Sequence, residues 1–180
     1  SSMLPVAVIS VFHIASRINL LLKRFLGFPI IALQPEVTRV YEEGRWEELK
    51  GKVRLFTRGT FVVSLFFAAI VAVTGRDIIN VISGPGYSEA YRVLLILLPT
   101  VPIAAFIAPL LVTMKGLHYV KWAMICDLTW MVVYFGSFPP LVSLWGIAGM
   151  AVAQLTGSAA QMAAAVLLAR KEGFYGGLGP

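Results

Sequence analysis

Cationic side chains lie within an otherwise apolar stretch near the start of the chain, FHIASRINLLLKRFLGFP at residues 12–29. They are Arg17, Lys23 and Arg24. Exposing one charge to hydrocarbon costs about 2.5 to 3.5 kcal/mol even on the insertion scales with the lowest penalties, so such charges usually face a cavity or a partner. Arginine can bind phosphate oxygens through two parallel hydrogen bonds. The stretch therefore predicts a cavity for an anion.

Helical spacing places polar residues on one face of this stretch. His13, Arg17 and Arg24 are separated by four and then seven residues, which brings them to one side of an α-helix. We expect Asn19 to lie close to this face as a further cavity residue. Two alternatives to a cavity role stay open. In one, Lys23 and Arg24 extend to the membrane interface. The other concerns His13 alone, as a hydrogen-bonded core residue.

Asp127 is an acid within a predicted membrane span, and two interpretations suit it. Either it carries a coupling proton or ion, or it neutralises an intramembrane arginine. Gln154 and Gln161 lie on a later apolar segment and either line the same polar interior or bond to a neighbouring helix. Small residues recur every four positions from Gly149 to Gly157, a spacing that favours close helix packing.

The composition indicates the solvent in which these elements fold. The chain has 180 residues, of which 58% are hydrophobic and 13% charged, with a mean hydropathy of +0.82. These values lie outside the soluble range, so we predict an all-α polytopic membrane protein. The net charge of +6 fits membrane orientation better than nucleic-acid binding, because the basic residues form no surface domain with interleaved aromatics.

Chemistry other than binding has little support in the sequence. Cys126 is the single cysteine, so no disulfide forms within the chain. We find no nucleophile elbow, no phosphate-binding glycine loop and no histidine or cysteine pair at metal-ligand spacing. We therefore predict no enzyme activity, no cofactor and no metal.

The predicted membrane elements form one helix bundle over residues 1–171, and 172–180 is expected to be a flexible tail. A span needs about 20 mainly apolar residues. The five predicted spans are residues 4–35, 59–83, 92–114, 119–138 and 141–169, the first with three cations inside it. Residues 39–58 are predicted to form an amphipathic helix on the membrane surface. Their six basic residues place it in the cytoplasm by the positive-inside rule.

Three stretches, in order, resemble the C-terminal half of polysaccharide flippases of the O-antigen type. They are ASRINLLLKRFLGFPIIALQPEVTRVYEEGRWEELKGKVRLFTRGT, INVISGPGYSEAYRVLLILLP and LVSLWGIAGMAVAQLTG. These flippases belong to the multidrug/oligosaccharidyl-lipid/polysaccharide exporter superfamily. The matching positions are Ala15, Arg17, Ile18 and Pro35, then Gly84, Tyr87 and Ala90, and finally Gly146 and Gly149.

The resemblance implies export of lipid-linked oligosaccharides across the cytoplasmic (inner) membrane. Such flippases work by alternating access between two pseudo-symmetric bundles, and Arg17 would be one of the cavity cations that meet the lipid diphosphate. The chain resembles one bundle, so the implied partners are a second bundle, the diphosphate-isoprenoid glycolipid and membrane lipids.

Three alternatives remain. A MATE-like exporter of drugs or organic cations would keep the fold but needs more cavity acids than Asp127. A membrane-embedded enzyme acting on lipid-linked sugars would use Asp127 with His118, although nine residues separate them along one helix. A scaffold without a ligand would leave Arg17 paired with Asp127.

Overall fold

The computed structural model describes residues 6–31, 33–84, 87–117 and 119–171, and every regular element in these ranges is an α-helix. The helices are α1 (Val6–Ile31), α2 (Leu33–Glu42), α3 (Trp46–Ser83), α4 (Ser88–Leu97), α5 (Thr100–Gly116), α6 (Val120–Trp145) and α7 (Ile147–Lys171). The prediction of an all-α polytopic membrane protein is confirmed. The predicted tail, residues 172–180, lies outside the described ranges.

Within the described ranges, four helical segments are long and apolar enough to cross a membrane. They are Trp46–Ser83, Glu89–Gly116, Val120–Trp145 and Ile147–Lys171. The first predicted span corresponds to α1, whose 26 residues are also long enough to cross. It contains Arg17, Lys23 and Arg24 and is not among these four segments. A fifth span through α1 therefore stays a prediction.

Two buried clusters of side chains mark the two ends of the bundle. One joins the first half of α1 to the end of α3 and to α4, and it includes Ala15, Ile79 and Leu94. The other joins α2 to the start of α3 and the end of α5, and it includes Val37 and Leu49. This arrangement follows from helices that alternate in direction between the two ends. We call these the α4 end and the α2 end.

The predicted amphipathic helix over residues 39–58 is wrong in its boundaries. A turn at residues 43–45 separates α2 from α3, and Gly44 adopts a positive φ of 72° there. From Trp46 onward the amphipathic part is continuous with the membrane-crossing part of α3. The amphipathic pattern gave no signal of this turn, because Gly44 falls between two segments that each have helical periodicity.

An ion pair between Lys52 and Glu36 attaches α2 to the first turns of α3, and two further pairs flank it. Lys52 Nζ lies 2.5 Å from Glu36 Oε1 and 2.8 Å from Glu48 Oε1. Arg39 also contacts the Glu36 carboxylate, at 2.9 Å. Hydrogen bonds from Lys52 and Arg39 lower the pKa of Glu36, and a hydrogen bond from Lys52 lowers the pKa of Glu48. Part of the positive charge that we used to predict a cytoplasmic location is thus neutralised locally.

Two further boundaries differ from the prediction. Pro139 and Pro140, which separate the predicted spans 119–138 and 141–169, instead lie inside α6, and this helix continues to Trp145. Gly146, with a φ of 56°, makes the connection alone. The predicted span 92–114 is divided between α4 and α5 by a turn at residues 98–99. Pro99 and Pro102 favour this break, because proline has no backbone N–H to donate to the preceding turn.

Candidate functional site

Three of the predicted site residues share the outward face of α1. His13, Arg17 and Arg24 are all exposed. At about 100° per residue they fall within an arc of about 40°. The opposite face packs into the bundle through Val11, Ala15 and other buried residues. We call His13, Arg17 and Arg24 the cationic stripe.

The cationic stripe has no acidic partner among the described residues. Neither arginine takes part in any ion pair or hydrogen bond there. Arg17 lies close to the middle of α1, eleven residues after Val6, which is about 16 Å along the axis. An arginine at that depth is too far from either helix end to reach the membrane surface easily. Its guanidinium therefore needs another surface to cover it.

The position of Arg17 also changes how the predicted cavity must be built. The side chain lies on the outside of the described bundle and not in a hollow between its helices. Apolar residues such as Leu21 and Phe28, 65% and 70% exposed, share this surface. A cavity at the cationic stripe consequently requires a second wall that faces α1.

Asn19 is not part of this surface, which corrects the prediction. Two residues along a helix correspond to a rotation of about 200°, so Asn19 faces away from Arg17. It is 1% exposed and donates from Nδ2 to the carbonyl oxygen of Leu97 at 2.8 Å. Thr100 Oγ1 donates to the same carbonyl at 2.7 Å. Asn19 is therefore a structural residue of the bundle interior.

The break between α4 and α5 explains why Asn19 is needed. The Val101 amide bonds to Leu98, three residues back, so it leaves the carbonyl of Leu97 without its usual helical donor. A buried carbonyl without a donor is costly in lipid. The Thr100 hydroxyl and the Asn19 amide replace that donor, and Asn19 does so from α1.

Lys23 lies at the border between the exposed and packed faces. It is half-buried and lines a cavity of about 70 Å³ between α1 and α5, together with Val101, Ala104 and Ala108. Of the two interpretations that the sequence left open for Lys23, a place beside a cavity agrees better with this position than extension to the interface.

Asp127 and the two glutamines lie apart from the cationic stripe. Gln161 on α7 donates from Nε2 to Asp127 Oδ1 on α6 at 2.9 Å. Gln154 is half-buried and lies seven residues earlier on the same face of α7 as Gln161. Among the described residues Asp127 forms no ion pair. The pair between Arg17 and Asp127 that the scaffold hypothesis expected is therefore not present among these residues. His118 of the enzyme hypothesis lies outside the described residues.

The small-residue ridge on α7 packs as predicted. Gly149, Ala153 and Gly157 are buried. A Cβ at Gly149 would overlap the backbone carbonyl of Leu141, and one at Gly157 would lie 3.2 Å from the ring of Trp130. The Trp130 and Tyr134 rings stack at 5.1 Å beside this ridge. The ridge therefore joins α6 to α7.

Two cavities near the α1 and α4 helices are among those that sequence reasoning missed. The first is an apolar groove of about 590 Å³ between α1 and α3, lined by residues including Phe25, Phe28 and Val63. The second, of about 360 Å³, lies at the α4 end. Arg76, Glu89 and Arg92 are among the residues that line it. The two arginines are sixteen residues apart on different helices, so spacing within one helix could not have found them.

Motif positions from the sequence resemblance shape the connections between helices. Gly84 has a φ of 88° and Gly146 one of 56°, which favour glycine. Ala15 and Ala90 are fully buried. Arg17 is exposed in the middle of its helix. The glycines and alanines among these positions therefore constrain the fold, and Arg17 differs from them in having an exposed charged side chain.

Comparison with protein families agrees with this architecture. The MatE family model matches residues 1–136, from α1 into α6. The chain belongs to the MatE family. MatE proteins form part of the multidrug/oligosaccharidyl-lipid/polysaccharide exporter superfamily and are transporters, not enzymes. The protein is thus a multi-pass membrane exporter. No curated protein and no solved structure is similar enough to count as a match.

Proposed function

We propose that this MatE protein exports lipid-linked oligosaccharides across the cytoplasmic membrane by alternating access. The observation that carries the proposal is the cationic stripe, since Arg17 and Arg24 are exposed and have no counter-charge in the described part of the chain. An anionic cargo supplies that counter-charge. The diphosphate that joins the glycan to its isoprenoid carrier is such an anion.

The energetics of lipid exposure support a second wall over the stripe. Each arginine facing hydrocarbon would cost about 2.5 to 3.5 kcal/mol. A second helix bundle opposite α1 would replace that hydrocarbon with a hydrated cleft. The cleft would admit the sugar and diphosphate while the isoprenoid tail stays in the lipid. No covalent step is needed for this movement.

The spacing of the two arginines suits a phosphate group that moves. Seven residues separate them, a distance of about 10 Å along the helix axis. A diphosphate can therefore exchange one guanidinium for the next during a change in access. Arginine suits both positions because its planar guanidinium can form two hydrogen bonds with one phosphate.

Translocation of a lipid-linked oligosaccharide by the full-length protein tests the proposal. Arg17→Ala should lower the rate strongly, and Arg17→Lys should restore part of it because the charge returns without the paired hydrogen bonds. Arg58→Ala is the matched control, since Arg58 is an exposed arginine near the α2 end. Unchanged transport in both Arg17 variants would remove Arg17 from the mechanism.

A second candidate is the export of organic cations, and Asp127 favours it. Its carboxylate is exposed, bonded to Gln161, and one helical turn from the Trp130 ring. A carboxylate beside an aromatic ring is suited to a cation. Asp127→Asn should then abolish cation efflux while leaving glycolipid translocation unchanged. Cation efflux that stays intact in Asp127→Asn would exclude this candidate.

A further inference from the structure

The cavity at the α4 end holds a cluster of charges that the proposed transport does not use. It has a volume of about 360 Å³ and is lined by Arg76, Glu89, Tyr91 and Arg92. Arg76 comes from the last turns of α3, and the other three come from the first turns of α4. Its charged side chains are thus two guanidiniums and one carboxylate. We call this cluster the α4-end site.

The backbone around the α4-end site is held closely on both sides. Tyr91 donates its hydroxyl hydrogen to the carbonyl of Ala72 at 2.6 Å, which ties α4 to α3. Gly75 faces Leu94, and a Cβ on Gly75 would lie 3.2 Å from Leu94 Cδ2. Gly75 directly precedes Arg76, and Tyr91 directly precedes Arg92. The two arginines are therefore presented from a fixed contact between helices.

The three charged groups remain available for a ligand. Within the described ranges, Arg76, Glu89 and Arg92 take part in no ion pair or hydrogen bond. Glu89 and Arg92 are three residues apart on α4, a spacing at which ion pairs usually form. The ion pairs at the α2 end show that this protein uses the same spacing, between Glu36 and Arg39. The charges at the α4 end are instead directed to the cavity.

We propose that the α4-end site binds the phosphoethanolamine headgroup of a phospholipid. Two guanidiniums match the oxygens of a phosphate. The carboxylate of Glu89 accepts hydrogen bonds, which a primary ammonium can donate. A phosphoethanolamine carries both groups, two carbons apart, so it satisfies all three charges at once. A purely anionic headgroup leaves the carboxylate unpaired, and a trimethylated one has no N–H to donate.

The location of the site favours a lipid as the source of this group. Arg76 lies seven residues before the end of α3, a membrane-crossing helix, which is about 10 Å along the axis. The polar headgroup layer extends about 5 to 8 Å beyond the hydrocarbon on each side. An arginine that extends toward the helix end reaches this layer, where phospholipid headgroups are concentrated.

Lipid retention by the full-length protein in detergent, measured by native mass spectrometry, tests the proposal. The wild type should retain phosphatidylethanolamine more strongly than phosphatidylglycerol or phosphatidylcholine. Arg76→Gln and Arg92→Gln should each weaken retention of phosphatidylethanolamine on the order of tenfold, as expected for a lost charge-assisted bond. Glu89→Gln should remove the preference for phosphatidylethanolamine over phosphatidylcholine. Free phosphoethanolamine should compete only weakly with phosphatidylethanolamine, because it has no acyl chains to contact the protein.

Two controls separate the site from general charge effects. Asp77→Asn removes an acid next to Arg76 that does not line the cavity, and Arg58→Gln removes an arginine from the α2 end of the same helix. Neither should change the lipid preference. Equal retention of the three lipids by the wild type would overturn the proposal. So would an unchanged preference in Glu89→Gln, because the cavity would then be a simple anion site.

Discussion

Alanine at the glycines of α6 and α7 should change the stability of the protein in a graded order set by the space at each position. Gly136 has no neighbouring atom within 4 Å of an added Cβ. Gly157 has the side chain of Trp130 at 3.2 Å, which can shift slightly. At Gly149 the neighbour is the Leu141 backbone, which cannot rotate away. The chemical change is the same in all three cases.

The expected magnitudes follow from helix propensity and packing. Gly136→Ala should stabilise the protein by up to about 1 kcal/mol, because alanine restricts the unfolded chain and favours the helix. Gly149→Ala should destabilise it by about 1 to 3 kcal/mol, the usual cost of forcing extra volume into a packed interface. Gly157→Ala should fall between them, because the propensity gain offsets the movement of the ring.

Reversible unfolding of the full chain in mixed micelles, followed by tryptophan fluorescence, measures these differences. Trp130 and Trp145 on α6 report directly on the α6–α7 hairpin. Gly136→Ala also serves as the control for any general effect of alanine. Equal stability of Gly149→Ala and Gly136→Ala would refute the close approach of α7 to the end of α6, and with it the one-residue connection at Gly146.

Two further predictions concern the interior bond and the ion pairs. Asn19→Leu should lower the free energy of unfolding by only about 1 kcal/mol, since the Leu97 carbonyl keeps its bond from Thr100 and interhelical hydrogen bonds in membranes are weak. Asn19→Asp should lower it more, because a buried carboxylate would face a carbonyl oxygen. Equal stability of the wild type and both variants would contradict the interior placement of Asn19. Hydrogen bonds from Lys52 and Arg39 lower the pKa of Glu36 in the folded protein. The stabilisation that the Glu36–Lys52 pair gives the α2 contact is therefore complete above the ordinary pKa of 4.5 and is lost as pH falls through the folded pKa. Hydrogen exchange of α2 should accelerate in acid, less so in Glu36→Gln, and an equal acceleration in both forms would show that the pairs do not attach α2.

The all-α fold could be predicted because hydropathy and length report directly on the solvent around a helix. The boundaries could not, because they depend on single residues within periodic segments. Gly44 ends one helix before the next begins, while the amphipathic pattern of the residues on both sides continues. Pro139 and Pro140 separate two predicted spans, yet α6 continues through them to Trp145. Proline in a membrane helix is tolerated where other groups satisfy the freed carbonyl, and a sequence does not show which groups those are.

The candidate site was partly predictable for the same reason. The positions of His13, Arg17 and Arg24 follow from spacing along one helix, and the structure places them on one exposed face. Asn19 lies on the opposite face from Arg17, because two residues along a helix correspond to a rotation of about 200°. Its partner Leu97 is 78 residues away, and Arg76 and Arg92 meet across two helices. Contacts of this kind arise from tertiary packing.

The family motifs explain why the superfamily was easier to infer than the cargo. Gly84, Gly146 and Gly149 allow turns and close packing, and the buried Ala15 and Ala90 allow helices to approach. A transporter with any cargo can share these requirements. Among the matching positions, Arg17 is the residue that we propose to contact the cargo.

Water access to position 17 of α1 tests the central claim most directly. Arg17→Cys and Val132→Cys can each be made in a Cys126→Ala form of the full-length protein. Val132 is the depth-matched control, since it is 67% exposed and lies at the middle of α6. A charged, membrane-impermeant thiol reagent should label the cysteine at position 17 much faster than the one at 132, and an isoprenoid diphosphate should slow that labelling. Equal, slow labelling at both positions would place α1 against lipid and contradict the account.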